Sequence, residues 1–391
     1  MPNKTLPRAG AGNGCKLYKK CGGCQLQNLT YPEQLAHKRA KCIGLLGRFA
    51  HVGEVVAMDE PFYYRCKVQS AFAVDRNRII SGIYQSSTHK IVPVDECLIE
   101  DKDADAIIRT VRTLAASFSL GIFNEKTLRG FLRHVLIRKG KFTGEIMVVL
   151  VTGTVDFPKK NDFLKMLLGA HPNITTVVQN INNSFTAMVL GERNITLYGD
   201  GFIRDTLCGL TFRISPNSFY QVNPVMAEKL YTLAVEGLSL TGKETVIDAY
   251  CGTGTIGLIA AKKAKEVLGV EQNASAVKDA EANARENDIK NEKFFRADSG
   301  EFMVSLAEEG IKVDAVITDP PRAGCDLPFL RSLIKLSPEK VAYVSCNPET
   351  LARDLGFLTR NGYKVKSVTP VDMFPHTDHV ETVVLMSRVN K

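Results

Sequence analysis

The second half of this chain alternates short apolar strands with amphipathic helices, and no other feature of the sequence restricts the fold as strongly. From about Thr241 the segments ETVIDAYCG, EVLGVE, VDAVITDPP and KVAYVSCN are typical of strands, whereas GLIAAKKA, ASAVKDAEANAREND and ETLARDLGFL are typical of helices. Strands and helices in alternation form a mostly parallel sheet with helices on both faces. The pattern predicts a doubly wound α/β domain over residues 211–391, with ligands at the carboxyl ends of its strands.

Residues 1–210 follow a different pattern, in which strands predominate. KVQSAFAV, RIISGIY and HKIVPV alternate apolar and polar side chains, and helices are predicted near residues 31–49 and 101–119. This half carries 28 Lys and Arg against 18 Asp and Glu, whereas residues 211–391 carry 22 against 24. We therefore expect a β-rich α+β domain that binds a polyanion, with ordinary surface variation as the alternative explanation of the charge.

The composition argues against several other classes of protein. No apolar run reaches the roughly 20 residues that a membrane span needs, so we expect no membrane association. The first 14 residues lack the apolar stretch of a signal peptide and are predicted to be a short flexible tail. We therefore expect a cytoplasmic protein whose ten cysteines are reduced and act as metal ligands, catalytic thiols or core residues.

The segment DAYCGTGTIG, residues 248–257, leaves a predicted strand and enters a predicted helix. Its glycines at positions 252, 254 and 257 allow a tight turn and a close approach of the backbone to a ligand. Glu271 ends the next strand, where a carboxylate can accept hydrogen bonds from both ribose hydroxyls of a nucleotide cofactor. By spacing alone the loop also suits NAD, so an NAD-dependent iron–sulfur oxidoreductase is the main rival among enzymes.

Three acidic positions favour S-adenosylmethionine as the cofactor. Asp248 opens the glycine loop, which is similar to the acidic start of that loop in class I methyltransferases. Asp298 follows the third strand, where such enzymes contact adenine. Asp319 begins the segment DPPRAG, which resembles the loop that base-modifying methyltransferases hold against their target base. A rigid loop without a ligand is the alternative for the paired prolines.

Cys346 lies between a predicted strand and a predicted helix, in the segment SCNPE. The partial positive charge of a helix N-terminus lowers the pKa of a nearby thiol, so we expect a nucleophile here rather than a structural cysteine. A second group of titratable residues precedes the last strand, where Glu381 or His379 is a candidate general base. A solvated loop is the alternative for that second group.

Three cysteines near the N-terminus, Cys15, Cys21 and Cys24, lie within ten residues of one another. A structural zinc site usually shows two close pairs of ligands, whereas a close triplet with one remote partner is more typical of an iron–sulfur cluster. We therefore expect an iron–sulfur cluster, with zinc or no metal as the alternatives; the family resemblance described next implies that the cluster is of the 4Fe–4S type.

Five segments in the same order make residues 215–391 resemble the RNA uracil-5-methyltransferases. They are SFYQVN (218–223), the loop at 248–257, DPPR (319–322), SCNP (345–348) and HVE (379–381). The resemblance implies a class I methyltransferase fold in which Cys346 adds to carbon 6 of uracil and Glu381 removes the carbon-5 proton. A non-enzymatic RNA-binding protein would explain the charge but not these five segments.

The same resemblance implies a set of site residues. The cofactor and base pocket is expected to be lined by Gln221, Tyr250, Thr255, Glu271, Asp298 and Asp319, with Thr255 standing where several relatives have Asn. The cluster ligands are expected to be Cys15, Cys21, Cys24 and Cys97, although Leu98 replaces the usual proline and Cys42 and Cys66 compete for the fourth place.

The resemblance also suggests the substrate. Cluster-bearing members usually modify 23S ribosomal RNA, so ribosomal RNA is favoured over transfer RNA as the partner, and we expect a monomer. Only 14 residues precede Cys15, so we expect the small β-barrel RNA-binding module of many relatives to be absent. RNA would then be bound by basic residues of the first half, including Lys16, Lys19, Lys20, Lys38, Arg39 and Lys41.

Overall fold

A computed structural model describes residues 14–85, 88 and 90–389. Residues 1–13, predicted above to be a flexible tail without a signal peptide, lie outside this range. The helices are α1 (Tyr18–Cys21), α2 (Tyr31–Leu46), α3 (Lys102–Ser117), α4 (Lys160–Ala170), α5 (Pro224–Gly237), α6 (Thr255–Ala261), α7 (Ala274–Glu286), α8 (Ser299–Glu308), α9 (Leu327–Leu336) and α10 (Pro348–Arg360).

The strands complete the element order. They are β1 (Lys67–Asp75), β2 (Arg78–Tyr84), β3 (Ile91–Pro93), β4 (Leu132–Lys139), β5 (Ile146–Thr152), β6 (Ile174–Ile181), β7 (Arg193–Tyr198), β8 (Ile203–Leu207), β9 (Leu210–Ile214), β10 (Thr245–Ala249), β11 (Glu266–Glu271), β12 (Glu292–Arg296), β13 (Ala315–Thr318), β14 (Lys340–Ser345), β15 (Tyr363–Val371) and β16 (Glu381–Arg388). No helix among the described residues has both the length and the apolar character needed to cross a membrane.

The first compact unit comprises the described residues up to Leu29, Glu60–Thr206 and Arg213–Asn217. Its sheet has the strand order β3-β2-β1-β4-β5-β6-β7, in which β5 and β6 are parallel and the other neighbours are antiparallel. Helices α3 and α4 cover one face of the sheet, where Ile107 and Phe163 are almost fully buried. This is the β-rich α+β arrangement that the alternating strands predict.

The second unit comprises Thr30–Asp59, Leu207–Phe212 and Ser218–Lys391. Its sheet has the order β12-β11-β10-β13-β14-β16-β15, with β10 to β14 parallel and β16 antiparallel to both of its neighbours. Helices α2, α8, α9 and α10 bury one face, and α5 and α6 pack on the other. The predicted doubly wound sheet is confirmed.

The division of the chain differs from the prediction at α2. The charge pattern assigns residues 30–59 to the first domain, whereas they pack within the second unit. Cys42 and Leu46 on one face of α2 are fully buried in the core beside β15 and α10. A capping box fixes the start of the helix, because the backbone N–H of Thr30 donates to the Glu33 carboxylate at 2.7 Å. Burial of this apolar face explains why α2 belongs to the second unit.

Candidate active site

A cavity of about 630 Å³ lies at the carboxyl ends of the parallel strands in the second unit. Strand order reverses between β10 and β13, so the loops that follow these strands diverge and leave a crevice between them. Most of the residues predicted from the sequence line this cavity. They are Gln221, Tyr250, Thr255, Glu271, Asp319, Cys346, His379 and Glu381.

The glycine loop is held by Asp248, whose carboxylate accepts a hydrogen bond from the backbone N–H of Gly257 at 2.7 Å. Gly252 and Gly254 have φ values of 55° and 79°, which glycine adopts without steric cost. A Cβ atom at Gly257 would lie 2.2 Å from the Glu292 carboxylate, so any larger residue would have to displace that buried side chain. The loop therefore keeps its backbone close to the cavity wall, as an approach to a nucleotide ligand requires.

Glu271 presents a carboxylate to the cavity from the end of β11. The backbone N–H groups of Gly252 and Asn273 donate to its two oxygens at 3.2 and 2.8 Å. The side chain is thus fixed in orientation while remaining partly exposed. A fixed carboxylate beside a glycine loop is the acceptor that the ribose hydroxyls of a nucleotide need, so these residues fit S-adenosylmethionine.

Asp298 is the exception among the predicted pocket residues, because it is not part of the cavity wall. Its carboxylate is the N-cap of α8 and accepts hydrogen bonds from the backbone N–H groups of Gly300 and Glu301 at 2.9 and 3.1 Å. The other oxygen accepts from the Gln272 amide at 2.7 Å. The N-cap role accounts for an acid at this position without a ligand.

Cys346 and Glu381 are brought together by the pairing of β14 with β16. The antiparallel register pairs Ser345 with Thr382. Cys346 directly follows the last residue of β14, Glu381 directly precedes Thr382, and the two side chains are near enough for the charge of Glu381 to affect the Cys346 thiol. Both residues line the cavity. Strand pairing therefore places the candidate nucleophile beside the candidate base.

The carboxyl groups at this end of the cavity are poorly solvated. Burial, together with the neighbouring charge of Asp319, raises the pKa of Glu381 to about 8. Burial also raises the pKa of Asp319 to about 7. A carboxyl group with a pKa near neutrality can both accept and release a proton at physiological pH, which is what a general base requires.

The expected lowering of the Cys346 pKa is wrong. Partial burial and the nearby Glu381 and Asp319 raise the pKa of this thiol to about 11. A helix N-terminus contributes only about 0.3–1 kcal/mol at an exposed position, which is too little to outweigh burial beside two carboxyl groups. The thiol therefore retains its proton in the free enzyme, and its activation has to accompany binding of the substrate.

Three further residues also line the cavity, and the sequence motifs indicated no role for them. Arg322 follows the paired prolines, and its guanidinium lies 3.2 Å from Nδ1 of His379. Phe374 lies in the loop before Glu381, and Tyr231 on α5 is buried and hydrogen-bonded to Gln221. Arg322 belongs to a recognised segment and could have been found, whereas Tyr231 has no local signal.

The four predicted cluster cysteines lie in the first unit and are all free and half-buried. Burial raises the pKa of the Cys24 thiol to about 11, and Cys15 and Cys21 are close enough for their charges to affect it as well. The charge of Cys24 in turn affects the Cys97 thiol, so these two residues are also close. A backbone N–H of Gly23 donates to the Cys21 sulfur at 3.3 Å. Within residues 14–85, 88 and 90–389, however, no three His, Cys, Asp or Glu side chains form a metal-binding group. The predicted cluster is thus not confirmed.

This arrangement can still be compared with what an iron–sulfur cluster requires. Each cysteine of a 4Fe–4S cluster binds a different iron atom, so the four sulfurs surround a volume instead of converging on one ion. N–H donors to the sulfurs are a usual feature of such sites. Neighbouring half-buried thiols with an N–H donor to one sulfur are features that such a cluster site shares.

The basic residues predicted to bind RNA fall into two groups. Lys16, Lys19 and Lys20 are exposed. Lys38 is fully buried and paired with Asp372, Arg39 bonds the Gly53 carbonyl and Glu54, and Lys41 is paired with Asp378. For Lys38 the prediction is wrong, because a side chain with no exposed surface cannot reach a phosphate.

The chain shows clear similarity to known proteins over nearly its whole length. The sequence model of the tRNA (Uracil-5-)-methyltransferase family matches residues 200–389. An RNA methyltransferase of Clostridium acetobutylicum is 44% identical over 384 residues, which is 96% of this chain and 84% of the relative. One of Halalkalibacterium halodurans is 42% identical over 381 residues, 96% of this chain and 83% of the relative.

A solved structure shares the fold. Pyrococcus abyssi tRNA (uracil-54, C5)-methyltransferase in complex with S-adenosyl-L-homocysteine matches with a TM-score of 0.78 and 33% identity, covering 94% of this chain and 86% of the other. Similarity in sequence and in structure therefore extends well beyond the glycine loop.

Proposed function

This chain belongs to the RNA uracil-5-methyltransferase family, and from that premise we propose that it methylates carbon 5 of a uridine in 23S ribosomal RNA through a covalent bond to Cys346. The enzyme is an S-adenosylmethionine-dependent RNA methyltransferase. The observation that supports the proposed chemistry is that Cys346 and Glu381, which flank the paired residues Ser345 and Thr382, line one cavity together with the glycine loop.

Covalent addition is needed because carbon 5 of uracil is a weak nucleophile. The sulfur of Cys346 bonds to carbon 6, and the electron pair of the 5,6 double bond moves toward the carbonyl oxygen and makes carbon 5 nucleophilic. Bound S-adenosylmethionine supplies the methyl group. The high pKa of the free thiol means that its proton has to leave as the bond to carbon 6 forms.

Glu381 is the base in the second half of the reaction. Its carboxylate accepts the proton from carbon 5, the electron pair restores the 5,6 double bond, and the Cys346 thiolate leaves carbon 6. Its pKa of about 8 suits it to take that proton and return it to solvent. His379, held by Arg322, is the alternative base.

The cofactor is proposed to be bound by residues on the glycine-loop side of the cavity. Glu271 accepts the ribose hydroxyls, and Tyr250, Thr255 and Gln221 line the adjoining wall. Asp319 and the prolines that follow it face the target base. Asp298 is proposed to contact adenine through the oxygen that does not cap α8, which now accepts from the Gln272 amide.

We also propose that the first unit carries a 4Fe–4S cluster bound by Cys15, Cys21, Cys24 and Cys97. The neighbouring thiols and the N–H donor to Cys21 support this assignment. Cys42 is a weaker candidate for a ligand because it is fully buried in the core of the second unit. Methyl transfer consumes no electrons, so the cluster would have a structural or RNA-positioning role.

The choice of ribosomal RNA rests on this cysteine set, whereas the similar Pyrococcus abyssi enzyme acts on transfer RNA. A single experiment separates the two substrates. The purified enzyme is incubated with unmodified 23S ribosomal RNA and with unmodified transfer RNA, and 5-methyluridine is mapped in both. Methylation of transfer RNA alone would contradict the ribosomal assignment and leave the chemistry in place.

The mechanism predicts different behaviour for two variants. Cys346→Ala should abolish methylation and form no covalent species, because the nucleophile is missing. Glu381→Gln should form the adduct and release it slowly, which gives a cofactor-dependent shifted protein–RNA band on a denaturing gel. Wild-type enzyme should give the same band on RNA containing 5-fluorouridine, because fluorine does not leave as a proton does.

Two results would contradict the mechanism. Methylation of uracil by Cys346→Ala would exclude the covalent route. Normal turnover by Glu381→Gln would transfer the role of base to His379 or to water.

A further inference from the structure

The loop that carries the proposed base is held in an unusual conformation. Residues 372–380, here called the base loop, contribute Phe374 and His379 to the cavity and lead directly into Glu381. His376 in the middle of this loop is fully buried and has a φ value of 68°. A non-glycine residue adopts this conformation only where surrounding contacts impose it. The contacts that impose it determine where the base lies.

Helix α2 supplies these contacts from one stripe of its surface. Gln34, His37, Lys38 and Lys41 are spaced i, i+3, i+4 and i+7, which places their side chains on one face of the helix. All four reach the base loop, more than 330 residues away in sequence. We call these four residues the loop clamp.

Lys38 is the centre of the loop clamp. Its ammonium group donates to the Asp372 carboxylate at 2.5 Å and to the Phe374 carbonyl at 3.0 Å. The side chains of Lys38 and Asp372 have no exposed surface. A buried ion pair is often no more stable than well-packed apolar residues of the same size, so stability alone does not account for it. The ion pair is better explained by the directional hydrogen bonds that Lys38 makes to the backbone and to a side chain of the base loop.

The other three members of the loop clamp fix the rest of the base loop. The Gln34 amide oxygen accepts a hydrogen bond from the backbone N–H of His376 at 2.9 Å, and the Gln34 amide nitrogen lies 3.2 Å from Nδ1 of the His376 imidazole. His37 and Lys41 bond the two carboxylate oxygens of Asp378 at 2.8 and 2.9 Å. Every second residue from 372 to 378 is therefore held by α2.

We propose that the loop clamp is a positioning element for catalysis: by fixing the base loop, Lys38 and its neighbours set Glu381 against carbon 5 of the uracil. This inference rests on the proposed role of Glu381. Lys38 then serves the chemistry from within the second unit and does not bind RNA, which also explains why its side chain is buried.

The test compares Lys38→Met, which keeps the length of the side chain, with Leu46→Ala on the same helix. Leu46 is fully buried in the core two turns from Lys38, and its aliphatic side chain makes no hydrogen bonds, so its truncation lowers stability without removing any hydrogen bond of the loop clamp. We expect Lys38→Met to lower kcat about 100-fold, since a displacement of about 1 Å at a reacting group can have that effect. The KM for RNA and the Kd for S-adenosyl-L-homocysteine should change less than about threefold.

A second readout is specific to the position of the base. If proton removal is the slowed step, Lys38→Met should accumulate the covalent protein–RNA band, as Glu381→Gln does, whereas Leu46→Ala should not. The double variant Lys38→Met/Asp372→Asn removes both buried charges, so it should fold even if the single variant does not. It should show the same low kcat and the same band, because the loop contacts remain absent.

The outcomes are decisive. If the wild type is active and either Lys38→Met or the double variant has an unchanged kcat, the positioning role of the loop clamp is contradicted and the proposed function is not. Lys38→Met could also lose kcat to the same extent as Leu46→Ala at a similar thermal midpoint and form no covalent band. That result would show that Lys38 has a structural role only, and it would also contradict the positioning role. Absence of 5-methyluridine in the wild-type reaction would contradict the proposed function, and the loop clamp with it.

Discussion

Glu381 has a pKa that is set by its surroundings in the folded enzyme. It is 4% exposed, and the negative charge of Asp319 adds to the effect of burial. Cys346 is affected in the same direction by the same neighbours. In the proposed mechanism both groups act only after giving up a proton or while giving it up, so the reaction should become faster as the pH rises.

We therefore predict that kcat rises with pH through a midpoint near 8, the pKa of Glu381, when it is measured between pH 6 and 9.5 under saturating RNA. Asp319→Asn removes the neighbouring negative charge, so it should move this midpoint to lower pH even if it lowers the maximal rate. A wild-type profile that is flat across this range would contradict the role of Glu381 as the titrating base.

The same pKa shift has a consequence for stability with a definite sign. The pKa of Glu381 is about 8 in the folded state against an ordinary value of 4.5, so the folded state disfavours its ionised form. Its contribution to stability is present below pH 4.5 and is lost as the pH rises through 8. Glu381→Gln should accordingly raise the thermal midpoint relative to wild type at pH 8.5 and leave it unchanged near pH 4.5.

At the scale of elements, the glycine loop and α6 approach a strand more closely than a side chain allows. Gly257 in α6 faces the Glu292 carboxylate of β12 and the Asp248 carboxylate of β10. Asp248 also accepts the hydrogen bond that anchors the loop. The position of α6 and the shape of the glycine loop are therefore coupled through Gly257.

Gly257→Ala should weaken binding of S-adenosyl-L-homocysteine more than tenfold, because the added Cβ would lie 2.2 Å from one carboxylate and 2.8 Å from another. Calorimetric titration measures the change. Gly44→Ala is the matched control, since a Cβ at Gly44 in α2 meets nothing within 4 Å. The control should retain full affinity and gain about 0.5–1 kcal/mol of stability from its higher helix propensity. Equal affinities in the two variants would contradict this account of the loop.

At the scale of the whole molecule, the chain divides its tasks between two units. The second unit contains the whole catalytic cavity, from the glycine loop to Glu381. The first contains the four half-buried cysteines and the exposed Lys16, Lys19 and Lys20. Three of the basic residues predicted to bind RNA therefore lie in the same unit as the four cysteines.

If that unit carries a 4Fe–4S cluster, protein purified without oxygen should be brown and should contain about four irons per chain. Cys24→Ser and Cys97→Ser should lose the iron, and Cys66→Ser and Cys208→Ser should retain it. Elemental analysis and the absorption spectrum of each preparation measure this. Stoichiometric zinc without iron in the anaerobic wild type would contradict the assignment.

The features that could be predicted from the sequence are those that depend on neighbouring residues. The alternation of strands and helices, the glycine loop, and the placement of Glu271 and Cys346 at strand ends could all be predicted, because each follows from periodicity or from turn and cap residues within a few positions. The order of five segments was enough to indicate the family. These features are local, and local preferences leave their pattern in the sequence.

The way in which these local features come together is seen only in the tertiary structure. The pairing of β14 with β16 sets Cys346 beside Glu381, and a shift of one residue in that register would have separated their side chains. Folding buried Lys38 against Asp372, 334 residues away, and so turned a predicted RNA contact into part of the loop clamp. Burial likewise reversed the expected pKa shift of Cys346. Register, burial and desolvation arise from contacts between distant segments, and for that physical reason no local pattern could predict them.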